Sequence, residues 1–545
     1  MEKLHRIRAG FAISHDDRWP ARIFWAYVII AWPVILFRLG DYHWFFRDDF
    51  VFLAGRNGRW PDLVSPHGGA HWVAVPKLAY LVLWQGFGLR SYVPYQAMVV
   101  TLHLACAVML RAIMRRAGVG GWLAMAAASS FVIFGPGSEN LVWAFQISMV
   151  GSLAYGLAHL LLADHEGGFD RRDALGIGFG ALALMSSGLG VSMVGAVGLA
   201  VLLRRGWRMA ALHVAPLAAL FGVWAVVAHP TSESIFGRPG AGELLQWVRT
   251  TQIATFEAIG HFTVVAVLLA AVLVGGMVLA WAPGRGQTLA DTRRRLATPL
   301  ALFAAGIAFE ASAGLGRWFY GDQAAQASRY LHIGAALTLP LLAVTAQAVA
   351  SRWRSLTPVV TAALMALFLV GIPYNWSGFG GFPFGPGYME QRERILTTAV
   401  RMPFAYDVSD DVQPVPDPSA SDAVNMGFLL SAERSGALTP STAPITPVVL
   451  NEFRVRLGVA QRITDDFPKN CKIITGQIHL APKKGDRYLI TEPVAIATRD
   501  GDRQNGPTVV FNPALSGKEL TIELPELQLV VTAPAGKPSF QFCEA

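Results

Sequence analysis

The sequence predicts a polytopic α-helical membrane domain followed by a β-sandwich-like domain outside the membrane. Three observations carry that prediction. Of the 545 residues, 53% are hydrophobic and only 15% charged, where soluble domains run at about 25% charged, and the mean hydropathy is +0.40. Long apolar runs recur between residues 22 and 373, with basic residues punctuating them. Beyond residue 424 the pattern changes to short alternating runs, rich in β-branched residues and separated by Gly, Pro and Asp. The net charge of +8 does not point to nucleic acid, because the basic residues sit between apolar runs, as positive-inside bias requires.

Residues 1–21 form a polar, basic leader (Arg6, Arg8, Arg18), with Arg22 just beyond. No small-residue cleavage site follows the first apolar run, so no signal peptide is expected. Eleven membrane segments are predicted at 22–40, 92–111, 121–136, 147–163, 174–188, 189–203, 208–229, 262–282, 299–316, 331–350 and 356–373. Several are shorter than the ~20 apolar residues that a straight crossing needs. The run 174–203 reads as a hairpin broken at Ser186-Ser187-Gly188, which puts Arg171/Arg172 and Arg204/Arg205 on one side.

With the amino terminus inside, the inner turns hold Arg111/Arg115/Arg116, Arg171/Arg172, Arg204/Arg205/Arg208, Arg285/Arg293/Arg294/Arg295 and Arg352/Arg354. An odd number of crossings then places the carboxy-terminal part outside. Cys471 and Cys543 lie in that part and would form a disulfide there, in an oxidising compartment. Cys106 falls within an apolar run and reads as a packing residue.

The first outer loop, 41–91, contains 71–89, whose apolar residues, Trp72, Pro76 and Lys77 suit an interfacial helix. Residues 374–424 read as a turn-rich linker. Strands are expected at 447–455, 472–480, 487–495, 508–511, 519–524 and 528–533 within a domain spanning 425–545.

The candidate chemistry lies where the first segment ends, at Phe46-Arg47-Asp48-Asp49-Phe50. An aromatic shelf (Tyr42, Trp44, Phe45, Phe46) precedes the two acids, and such rings suit the headgroup layer. Arg47, Arg56, Arg59, Lys77, Arg90, Arg317 and Arg329 fall outside, against insertion bias. They either meet headgroups and pair with Asp48, Asp49 and Asp322, or bind phosphate, for which guanidinium offers a planar fork.

An acidic pair after the first helix, a long first outer loop with an interfacial helix, and many short spans form a pattern that resembles the GT-C glycosyltransferases. These membrane enzymes take sugars from polyprenyl-phosphate donors and include protein O-mannosyltransferases and aminoarabinose transferases. Further fragments are similar to bacterial members: Ser91 to Arg116 with His103, Gly137-Ser138-Glu139-Asn140-Leu141-Val142-Trp143, and Ala327-Ser328-Arg329-Tyr330-Leu331. The resemblance covers roughly 20–375 and not the β-rich part, making 22–373 the catalytic domain.

It implies Asp48 as the base on an acceptor hydroxyl and Asp49 as its positioning partner, or the reverse. It implies Arg329, then Arg317, with Tyr330, at the donor phosphate, and Glu139, Asn140, Trp143, Arg47 and His71 at the acceptor. The acceptor it implies would be an envelope glycan, lipid or protein at the outer face of a bacterial cytoplasmic membrane. Some members use a divalent cation and others none, so the resemblance leaves a metal open. His67 and His71 are four apart, but Gly68-Gly69 between them spoils a helical ligand pair. His261 and His332, near outer boundaries, read as interfacial. Glu310 is an intramembrane acid, functional by default and structural if Arg317 pairs with it. A transporter or flippase of lipid-linked sugars, or a non-catalytic envelope-assembly protein, is the alternative reading.

Overall fold

The computed structural model describes residues 17–40, 43–230, 237–282, 288–353, 357–381, 386–416, 423–463, 471–490, 492–500, 503–512, 518–534 and 539–544. Arg6, Arg8, Tyr42, Arg285, Arg354 and much of the proline-rich stretch of the expected linker lie outside the described residues. The chain divides into two compact units. One comprises 1–41, 58–78 and 95–383, the other 42–57, 79–94 and 384–545. The first outer loop is therefore shared between them rather than belonging wholly to the membrane part.

The first unit is helical. Its long helices are α1 (Arg18–Val34, running on through Ile35–Leu39), α2 (Ala74–Phe87, shared with the second unit), α3 (Val93–Arg116), α4 (Gly121–Val132), α5 (Ile147–Ala163), α6 (Arg171–Leu184), α7 (Leu189–Arg205) and α8 (Trp207–Ala228). They continue with α9 (Ala241–Gly260), α10 (Thr263–Trp281), α11 (Leu289–Arg317), α12 (Ser328–Arg352) and α13 (Thr357–Gly378). Eight helices among the described residues are long and apolar enough to cross a membrane, and Gly121–Val132 is a shorter apolar one. α8 exposes Leu212, Val223, Val226 and Val227, and α10 exposes Val264, Val267, Leu268, Val274 and Val278. Apolar faces of this extent belong in lipid, where a helix also satisfies its own backbone.

The expected hairpin is present as two helices, α6 and α7, separated at Met185–Gly188. Asp170 caps α6 through a capping box with Asp173. α9 is the helix that a search for continuous apolar runs overlooks. Glu243, Gln246, Arg249, Gln252 and Glu257 interrupt it. Its buried residues Trp247, Thr251, Ala254, Thr255, Ala258 and Ile259 nonetheless recur at helical spacing.

Polar contacts sort the helix ends into two sets. Asp17, just before α1, pairs with Arg111 and Arg115 of α3 at 2.9 and 3.2 Å. Gly120, before α4, donates to Gln347 of α12 at 2.8 Å. Asp164 after α5 pairs with Arg116 and with Arg204 of α7, and Arg204 also reaches the Arg294 carbonyl of α11. Arg295 donates to the Ala280 carbonyl of α10. Arg111, Arg115, Arg116, Arg204, Arg294 and Arg295, all expected on inner turns, thus gather at one end of the unit. At the other end Gly135 packs on Asn375 of α13, and Ser138 reaches the Gly378 carbonyl.

In the second unit α14 (Pro386–Ala399), α15 (Met426–Arg434) and α16 (Pro447–Gly458) precede ten strands among the described residues. Residues 374–424 are thus not a plain linker, since α14 lies within them. The expected strand at 447–455 is a helix: Thr446 caps it through Val449 N, Pro447 takes the first turn, and Arg456 pairs with Glu452 at 2.8 Å. The β-branched Val448 and Val449 gave the misleading signal.

The strands are β1 (Val459–Ile463), β2 (Cys471–Thr475), β3 (Gln477–Leu480), β4 (Arg487–Ile490), β5 (Val494–Asp500), β6 (Arg503–Gln504), β7 (Val509–Phe511), β8 (Lys518–Ile522), β9 (Leu529–Thr532) and β10 (Ser539–Glu544). All pair antiparallel, one sheet in the order β1-β8-β4-β10-β2 and the other β3-β9-β5-β6, with β7 on β5. Two runs read as single strands each cross between sheets. β2 passes to β3 at Gly476, whose φ of +87° permits the bend, and β4 passes to β5. Val459, Tyr488, Leu520, Ile522 and Phe542 of the first sheet face Leu480, Ile496, Leu529 and Val531 of the second around one interior. The expected disulfide is present, joining the directly opposed Cys471 and Cys543 of β2 and β10.

The first-loop segment 79–94 belongs to this unit by close packing. Leu89 N donates to the Ala437 carbonyl at 2.7 Å, and Gly88 at φ +56° would bring a Cβ to 2.4 Å from that oxygen. Gly88→Ala is therefore expected to cost about 1–3 kcal/mol and to lower the melting temperature. Gly86→Ala, where a Cβ meets nothing within 4 Å, is expected to leave it unchanged or slightly raised. Equal melting temperatures for the two variants by differential scanning fluorimetry would contradict this packing.

Candidate functional site

In the second unit, Arg47 takes φ 45°, uncommon for a residue with a Cβ, and turns the chain into the single helical turn Asp48–Val51. Asp49 is completely buried. Its carboxyl accepts from Phe46 N at 2.8 Å, from the Tyr92 hydroxyl at 3.2 Å and from the Tyr80 hydroxyl. Burial pushes the carboxyl up to about 7, against those hydrogen bonds, and the Asp48 charge adds a smaller upward push. Asp48 is only half-buried, so it is the member of the pair that reaches solvent.

The aromatic shelf is not a headgroup belt. Trp44, Phe45, Phe46 and Phe50 are buried within the unit. Phe45 packs edge-on against Tyr92 and Phe46 against Tyr388, while the Arg47 and Arg392 guanidiniums lie 5.0 and 5.8 Å from the Phe46 ring centre. The rings build the wall that desolvates Asp49, which is why adjacent aromatics and acids occur here.

In the first unit, most of the remaining candidates come together. Arg329 pairs with Glu139 at 2.8 Å, and Gln146 donates to the same carboxylate oxygen at 3.2 Å. Asn140 Nδ2 donates to the Arg329 carbonyl, and Glu139 N reaches Ser328 Oγ, both at 3.2 Å. Arg317 donates to the Tyr330 hydroxyl, and its guanidinium lies 5.9 Å from the Tyr330 ring centre, with that of Arg329 at 5.2 Å. Among the described residues no carboxylate pairs with Arg317.

His67 and His71 close a short β-bridge through Gly68 and Gly69, both at positive φ. Their ring nitrogens are thus displayed from a tight turn, and not from one face of a helix. His71 sits against Gly188, at the break between α6 and α7. Burial, then the Arg317 and His67 charges, push it down to about 4. Trp143 contacts Phe145, which contacts His67. Trp72 stacks on Trp224 at 5.4 Å and fixes this loop on α8, and their indoles donate to the Leu63 and Val64 carbonyls. Arg317, Arg329, Tyr330, Glu139, Asn140, Trp143 and His71 thus lie in one unit, while Arg47, Asp48 and Asp49 lie in the other.

Three buried polar groups have partners that sequence reasoning did not supply. His332 is not interfacial: it is fully buried and bonded to His103 at 2.9 Å. His159, His213 and Asp173 form a chain with links of 2.9 and 3.0 Å, and Arg205 and His165 close on Asp173. Glu310 pairs not with Arg317 but with Gln252 at 2.7 Å. The available signal was histidine inside apolar runs, where polar side chains face the protein interior. His165, Asp170 and Asp173 bring potential ligand atoms within 4.8 Å of one another. Their carboxylates, however, already serve Arg205 and Arg172, so the group is an ion-pair lattice.

Comparison with protein-family models, with curated proteins and with solved structures gives no match.

Because the fold holds Asp49 protonated to higher pH than an unfolded chain does, its contribution to stability is complete below about pH 4. It is lost as pH rises through about 7. Asp49→Asn is expected to remove that slope, so that wild type loses stability relative to the variant across this window. Parallel melting curves from pH 4 to 8 would contradict the burial assigned to Asp49.

Proposed function

We propose that the protein is a membrane glycosyltransferase. It moves a sugar from a polyprenyl-phosphate donor to an envelope glycan, lipid or protein acceptor at the outer face of a bacterial cytoplasmic membrane. The observation that carries the reading is the pair of guanidiniums on Tyr330: Arg317 has no carboxylate partner among the described residues, and Arg329 is held by Glu139. Cations arranged on a rigid ring suit a phosphate that gains charge as it leaves the anomeric carbon. Glu139 then acts as the resting counter-ion that keeps Arg329 in place.

Asp48 takes the proton of the acceptor hydroxyl as its oxygen bonds to the anomeric carbon. The bond to the donor phosphate breaks, and its electron pair stays on the phosphate. Partial exposure favours Asp48 for this role, and Asp49, committed to three hydrogen bonds, positions it. In this reading the membrane part crosses eleven times, with the amino terminus inside and the β-sandwich outside, where Cys471–Cys543 stays oxidised. The arginine-rich end of the first unit supports that orientation.

A transporter of lipid-linked sugars is the second reading. Buried polar groups within apolar helices (Glu310 and the His103–His332 pair) favour it.

Purified protein given a panel of short-chain polyprenyl-phosphate monosaccharides and an envelope extract is expected to release polyprenyl phosphate. Asp48→Asn is expected to lower that rate about 100-fold or more without changing yield or melting temperature. Wild-type rates in both Asp48→Asn and Asp49→Asn would overturn the enzyme assignment. Alkaline phosphatase fused after the last residue is expected to be active in intact cells; an inactive, well-expressed fusion would contradict the orientation.

A further inference from the structure

Glu310 lies on α11 seven residues before Arg317, about 10 Å deeper along the helix axis. The residue is 1% exposed. One carboxylate oxygen accepts from Gln252 Nε2 of α9, and the other has no hydrogen-bond partner among the described residues. Thr255, one turn along α9 and completely buried, has an equally unmatched hydroxyl. Both side chains approach the same glycine of α12: a Cβ at Gly334 would lie 2.6 Å from the unmatched Thr255 Oγ1 and 3.5 Å from Glu310 Oε1, the carboxylate oxygen that Gln252 also serves. Three helices therefore converge with a carboxylate and a hydroxyl on a spot that glycine leaves open.

No cationic side chain pairs with Glu310 among the described residues. An isolated carboxylate in a low-dielectric interior is too costly to persist. Protonation is the competing way to remove the charge, since a carboxyl proton has the Thr255 hydroxyl oxygen as an acceptor, and Na+ dependence at fixed pH separates the two. A small hard cation between the Glu310 carboxylate and Thr255 Oγ1 neutralises the charge and gives the hydroxyl oxygen a partner, with Gln252 holding the carboxylate in place. One carboxylate among neutral oxygens matches a single positive charge, because calcium sites gather several carboxylates.

We infer that Glu310 and Thr255, beside Gly334, form a monovalent-cation site, with Na+ as the ion to test. The site does not rest on the glycosyltransferase reading. It ties together α9, α11 and α12, and the last two carry Arg317, Arg329 and Tyr330 at their ends, so occupancy orders that end of the unit.

The experiment uses the full-length protein in detergent at fixed pH, with 22Na+ binding measured by scintillation proximity. Melting temperature is followed as NaCl replaces choline chloride at constant ionic strength. Wild type is expected to bind 22Na+ saturably, with displacement by unlabelled Na+, and to gain about 2–4 °C in melting temperature. Glu310→Gln and Gly334→Ala are expected to lose both responses, and Thr255→Ala to bind about tenfold more weakly; the threonine variant serves if the other two do not fold. Absence of saturable binding in wild type, wild-type binding in Glu310→Gln, or stability that follows pH but not Na+ would each overturn the inference, the last pointing to a proton or an ordered water.

Discussion

Charge placed among apolar helices has to be paired, and in this protein the pairing fixes the helix ends. Asp17, Asp164 and Asp173 each join segments distant in sequence: Asp17 takes Arg111 and Arg115, Asp164 takes Arg116 and Arg204, and Asp173 takes Arg205. Each pair is at least partly withdrawn from water, so removing one partner leaves a charge with little solvation. At the opposite end the Glu139–Arg329 pair, Arg317 and Tyr330 gather.

The two groups of candidate residues are built on different physical terms. Asp49 is desolvated by a wall of aromatic rings and held by two tyrosine hydroxyls and one backbone N–H. That construction makes Asp49 a rigid support and leaves Asp48 as the more accessible acid. Arg317 and Arg329 instead share one tyrosine, each guanidinium lying within 6 Å of its ring centre. Glu139 supplies a counter-charge to Arg329. In the proposed reading, a phosphate supplies the remaining counter-charge to these guanidiniums.

Much of this was legible in the sequence. All eleven expected segments correspond to helices, the break at Ser186-Ser187-Gly188 separates α6 from α7, and Cys471 and Cys543 are bonded. Where the reading failed, local pattern was overridden by packing. α9 was missed because its polar residues interrupt the apolar run, although its buried stripe follows helical spacing. Residues 447–455 look like a strand through Val448 and Val449, but the Thr446 cap and Pro447 start a helix. The aromatic shelf before Asp48 suggested a membrane interface, and it is buried because the first outer loop packs with the carboxy-terminal part, a long-range partner that no local window reveals. Of the candidate site, Glu139, Arg329, Arg317 and Tyr330 were found by resemblance and do meet. The Glu310–Gln252 contact was not foreseen, because Arg317 on the same helix was the nearer partner in sequence.

The proposed role of Arg317 and Arg329 is to hold the phosphate of an isoprenoid carrier. Native mass spectrometry of protein purified gently from its own membranes tests it most directly. Wild type is predicted to retain a polyprenyl phosphate that is absent from the Arg317→Ala and Arg329→Ala variants, both otherwise folded. Retention of the same lipid by both variants, or of ordinary phospholipid alone by wild type, would contradict it.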